Sequence, residues 1–91
     1  MWTISDQGQL VNMEAVRSVA AELSDDRQFV YVHVRWASSG ERLPLVTLIV
    51  QEYGDTRVAM AIGQTVVDAI RDKLTEGGHF FELPAVGPKS E

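Results

Sequence analysis

Phe29-Val30-Tyr31-Val32-His33-Val34-Arg35-Trp36 is the stretch that decides the fold. Val30, Val32, Val34 and Trp36 recur at a period of two, which places one apolar row of a β-strand against a core. A strand with one wet face should carry a polar row opposite. Here that row is Phe29, Tyr31, His33 and Arg35. The run Leu45–Tyr53 has the same character, with Val46, Leu48 and Val50 on one side and Leu45, Thr47, Ile49 and Tyr53 on the other. Two adjacent strands with apolar residues on both faces predict a sheet whose second face is covered by something other than a single helix.

Turn residues divide the rest of the chain. Ser5-Asp6-Gln7-Gly8 separates Trp2-Thr3-Ile4 from Leu10-Val11-Asn12, the pattern of a small hairpin. Asn12–Ala15 reads as a bend. Val16–Leu23 admits two readings. Met13, Val16, Val19, Ala20 and Leu23 have helical spacing, while Val19, Ala21 and Leu23 alternate; a β meander favours strand. Ser24–Arg27 and Ser38–Glu41 are polar turns on either side of Phe29–Trp36. Pro44 has no backbone donor, so the strand starting near Leu43 should carry it at an end or an edge.

Beyond Gly54, Asp55 or Thr56 is placed to cap a helix over about Arg57–Leu74, roughly 27 Å long. Val58, Ile62, Val66, Ala69, Ile70 and Leu74 form the stripe expected to face the sheet. Met60, Gly63 and Val67 make a smaller second stripe. Gly77-Gly78 stops the helix, Phe80–Pro84 reads as a short closing strand, and 85–91 as a flexible tail. The expected fold class is α+β: an antiparallel sheet of about five strands, one long C-terminal helix packed on one face, and a single domain over 1–84.

Composition narrows the function classes. The chain has 91 residues, 45% hydrophobic and 23% charged, as in an ordinary folded domain rather than a disordered one. It has no cysteine, which removes disulfides and thiolate metal sites. A net charge of −5, with basic residues scattered singly, disfavours nucleic acid or an anionic membrane as the main ligand. The N-terminus lacks a basic-then-apolar leader, and the longest uncharged apolar stretch, Leu43–Val50, is far shorter than the roughly 18 residues a span needs. The expectation is a cytoplasmic protein.

Chemistry-bearing residues do not converge. His33 and His79 lie far apart with no third ligand at a recognised spacing. Ser38-Ser39-Gly40 lacks the strand-to-helix setting of a nucleophile elbow. Asp68 and Asp72 fit a solvated helix face. Gly77-Gly78 follows a helix instead of preceding one, unlike a phosphate-cradling loop. No catalytic, cofactor-binding or metal-ligating residue is assigned, and an enzyme is not expected.

Met1-Trp2-Thr3-Ile4 followed by Gly8-Gln9-Leu10-Val11-Asn12 resembles a group of short, uncharacterised bacterial and phage proteins. These open on Met-Trp and continue through a Gly-containing turn to Leu-(Val/Ile)-Asn. Glu52–Thr56 and Phe80–Leu83 look like the group's tyrosine before a capped helix and its closing aromatic-acidic-Leu strand. The acidic first helical turn common there is replaced here by Arg57-Val58-Ala59-Met60. The group carries no established activity, so the resemblance transfers no functional residue. It implies a small accessory protein of a mobile element.

The residues expected to carry function are the second sheet face: Phe29, Tyr31, His33, Arg35, Leu45, Thr47, Ile49 and Tyr53. Phe, Tyr and Arg are enriched at interface cores because they bury large areas while keeping a polar or cationic handle. The expected function is a non-enzymatic protein–protein interaction module, as a homodimer or a small accessory or inhibitor protein. The alternative is a small-ligand-binding protein or enzyme with a pocket between helix and sheet near Trp36, Tyr53 and His33.

Overall fold

Turn chemistry sets the boundaries of the strands. The computed structural model describes residues 1–84. Its first hairpin joins β1 (Trp2–Ile4) to β2 (Leu10–Asn12). The Ser5 hydroxyl oxygen accepts from the backbone N–H groups of Gln7 and Gln9, and Gly8 takes the left-handed φ of +85° that the turn requires. One turn of 3-10 helix, Met13–Ala15, is capped by the Asn12 side chain and leads into β3 (Val16–Leu23). The segment with two readings is therefore a strand.

β4 (Phe29–Trp36) is the centre of a three-stranded antiparallel sheet, between β3 and β5 (Arg42–Ile49). Its valines Val30, Val32 and Val34 are fully buried against the core. Pro44 lies in β5, an edge strand, where its missing donor is tolerated. The expected sheet of about five strands is instead two sheets, of two and three strands. The closing strand reduces to a single parallel bridge between Trp2 and Phe80. The Trp2 N–H donates to the His79 carbonyl and the Phe81 N–H to the Trp2 carbonyl, but the Phe81 carbonyl accepts from the Thr3 hydroxyl where a longer ladder would use a backbone donor. Residues 85–91 lie outside the described residues.

The second long strand also ends early. After Ile49 the chain turns into a four-residue helix, α1 (Val50–Tyr53), and Gly54 at φ +98° redirects it. α2 (Thr56–Glu76) starts at the Asp55 cap, whose side chain accepts from the Val58 N–H at 2.9 Å. It stops at Gly77, whose N–H donates to the Lys73 carbonyl.

α2 lies across β3 and β4 on a face rotated from the expected one. Its buried residues are Ala59, Gly63, Val66, Val67 and Ile70, while Val58, Ile62, Ala69 and Leu74 are half-buried. Gly63 and Val67, read as a second stripe, belong to the core. A Cβ at Gly63 would lie 3.0 Å from Val30 Cγ1 and 3.3 Å from Ala21 Cβ. The helix thus lies close on the sheet at a position with no side chain, and hydrophobicity alone does not mark that face. One core joins both sheets, running from Val11, Met13 and Phe81 through β4 and β5 to α2.

Candidate interaction surface

The face of the three-stranded sheet opposite α2 carries most of the residues expected to be functional, in two parts. One part is aromatic. Phe29 and Tyr31 stack with ring centroids 6.0 Å apart, and their cross-strand partners in β5 are Ile49 and Thr47. Ile49 is exposed; the other three are half-buried. The second part is polar. Glu22 Oε1 accepts from Arg42 Nη1 at 2.6 Å and lies 3.1 Å from His33 Nε2, so a carboxylate on β3 spans β4 to reach β5. A carboxylate only accepts, so the network assigns the His33 proton to Nε2. The Arg42 guanidinium, first, and the hydrogen bonds from His33 and Arg42 hold the Glu22 carboxyl below the usual carboxylate range.

His33 is only 8% exposed although it points away from the helix, and its Nδ1 has no hydrogen-bond partner. Arg35 is half-buried on the same face, opposite Ser18 and Arg42. A Glu–His pair can orient a general base, yet among the described residues no hydroxyl hydrogen-bonds His33. Nor does any group of three or more His, Cys, Asp or Glu stand where it could hold a metal.

Leu45 and Tyr53 do not belong to this face. Register shifts between Val32 and His33, which pair with Val46 and Pro44, leave Leu45 as an extra residue. A bulge breaks the alternation on which the expectation rested, and Leu45 is fully buried in the core. Tyr53 is buried in the same core because α1, not a strand, carries it. Burial pushes its hydroxyl pKa up. Three surface clefts among the described residues, of about 200, 320 and 300 Å³, are lined by none of Trp36, Tyr53 and His33.

A second surface lies on the small sheet, where β1 is inverted. Thr3 is fully buried and its hydroxyl donates to the Phe81 carbonyl at 2.8 Å. Trp2 and Ile4, its apolar neighbours, are 42% and 46% exposed, and they are joined on that face by Leu10, at 59%, and Phe80, at 50%. Leu10 faces Ile4 across the ladder and Phe80 bridges to Trp2, so the four side chains share one side. Val11 and Phe81 fill the core on the other side. The signal in the sequence is the Trp-Thr-Ile alternation, which by itself does not say which row is inside.

No family model, curated protein or solved structure matches this chain. No helix in the described residues is long and apolar enough to cross a membrane.

Proposed function

We propose that this chain is a non-enzymatic protein–protein interaction module that acts through apolar and aromatic sheet surface. The observation that carries the reading is the inversion of β1. A strand that buries a threonine and exposes a tryptophan and an isoleucine spends its largest apolar area on solvent, at about 25 cal/mol per Å² of lost burial. Such area is recovered when a partner covers it. Phe29, Tyr31 and Ile49 offer a second, smaller aromatic patch, with Thr47 at its rim and the Glu22–His33–Arg42 network and Arg35 beside it. The first partner proposed is a second copy of the chain. A role as a small accessory or inhibitor protein of a mobile element, occluding a larger protein's surface, is the heterologous form. The accessory role rests on the resemblance, and the inhibitory one on small size, acidity and a sequence without a catalytic constellation.

Light scattering over a concentration series, with pull-downs by wild type, Leu10→Asp and Ile49→Asp, tests the reading. Self-association or capture that either substitution abolishes supports it. A monomer whose capture profile is unchanged by both substitutions refutes it.

A further inference from the structure

The two edges of the three-stranded sheet are finished differently. At β5 the first hairpin closes the edge, the Asp6 N–H donating to the Leu45 carbonyl and the Asp6 carboxylate accepting from the Thr47 N–H. At β3, among the described residues, no backbone partner meets the outward groups. Their identity follows from the ladder phase. The Ser24 N–H donates to the Phe29 carbonyl at 2.8 Å, so Glu22 and Ala20 form hydrogen-bonded pairs with Tyr31 and His33. The N–H and C=O groups of Val19, Ala21 and Leu23 therefore point away from β4. From Ser18 to Leu23 this edge contains neither Pro nor Lys, and its one bulge, at Arg17, lies at the far end. Such an edge is a template for another strand.

We infer that the strand it takes is β3 of a second copy, paired antiparallel about a two-fold axis at Ala20, so that two three-stranded sheets become one of six. This shares with the reading above only its occupant, a second copy: the β3 edge contains no residue of either apolar patch, so Leu10→Asp and Ile49→Asp should leave this pairing intact. Charge selects the copy and its direction. β3 carries Arg17 near its start and Glu22 near its end, with Asp25-Asp26 just beyond. An antiparallel copy sets the basic end against the acidic end twice, whereas a parallel one sets like against like. The half-buried inner row Val19, Ala21 and Leu23 then runs on into the identical row of the other copy, merging the two cores. In this register Val19 of each copy bonds to Ala21 of the other. The two Ala20 residues meet in a non-hydrogen-bonded pair, with Cα atoms about 4.5 Å apart.

The chain has no cysteine, so Ala20→Cys introduces a single thiol at an exposed position. The expected result is a disulfide-linked dimer under a mild oxidant such as copper phenanthroline, with Ser39→Cys in the exposed β4–β5 turn remaining monomeric. Wild type should show a mass near twice 10.1 kDa. Ala20→Lys, which places two ammonium groups together on the axis, should be folded by circular dichroism and monomeric. Wild type that is monomeric at every concentration overturns this pairing together with self-association. A dimer that Leu10→Asp dissociates, but that Ala20→Lys leaves intact and Ala20→Cys does not link, overturns the pairing and leaves self-association standing.

Discussion

The Asp6 carboxylate accepts a 2.7 Å hydrogen bond from the Thr47 N–H, and the Asp6 N–H donates to the Leu45 carbonyl at 2.8 Å. One residue of the first hairpin thus does the work of a neighbouring strand at the edge of β5. Asp6→Ala removes the acceptor and leaves the Thr47 donor to water. The expected loss is about 1 kcal/mol in urea unfolding. Asp6→Asn, which keeps an acceptor oxygen, should recover part of it.

The contact of Gly63 with Val30 and Ala21 sets the height of α2 over the sheet. Gly63→Ala gains about 1 kcal/mol of helix propensity, which the 3.0 Å approach to Val30 Cγ1 offsets, so a change near zero is expected. Gly63→Val should cost about 1–3 kcal/mol through overpacking. The double variant with Val30→Ala should lose less stability than the sum of the two single variants, because the second change opens the space the first one fills. Additive losses would refute the close approach.

Ile70 is fully buried in the core that both sheets share. Ile70→Ala should destabilise the chain by about 2–5 kcal/mol. Leu45→Ala should cost a comparable amount, against the small effect expected of an outer-face leucine. Chemical denaturation of the two variants distinguishes a core Leu45 from a surface one.

Acid stability should depend on Glu22. Its pKa is lowered in the folded state from the ordinary value of 4.5, by Arg42 first and by the hydrogen bonds second. A lowered folded pKa means that the unfolded chain binds the proton more readily. The contribution is therefore present above pH 4.5 and lost as pH falls through the folded value. Asp26, lowered chiefly by the Ser24 hydroxyl, acts in the same direction from 3.8. Glu22→Gln should flatten the decline of Tm between pH 5 and 3, and Glu22→Gln with Asp26→Asn should flatten it further.

Alkaline stability should depend on Tyr53. Its pKa is raised above 10.0, by burial first and by the Glu52 charge second. The unfolded chain then loses its proton more readily, so stability is retained below pH 10 and falls as pH rises through the folded value. Tyr53→Phe carries no ionisable hydroxyl and should lose less stability than wild type between pH 9 and 11. Equal slopes would place the Tyr53 hydroxyl in solvent.

What the sequence determined by itself is what short-range chemistry controls. The Asp55 cap, the Gly77 stop, the Ser5–Gly8 turn and the period-two valines of β4 act over a few residues, and each lies where its residue types place it. The class, α+β with one long helix, follows from them. Four outcomes required the tertiary structure. The parity of β5 depends on its register with β4, and one bulged residue carried Leu45 from the expected outer row into the core. The face of α2 depends on how closely it approaches the sheet, and Gly63 and Ala21 admit an approach that larger side chains forbid. The split into two sheets is seen at the β5 edge, where the first hairpin meets β5 only through Asp6, by one backbone and one side-chain hydrogen bond, and not through a ladder. The inversion of β1 depends on a distant carbonyl, because Thr3 is satisfied inside only once Phe81 returns to accept its hydroxyl. A period-two pattern identifies two rows of a strand, but which row is inside is decided by partners far away in the chain.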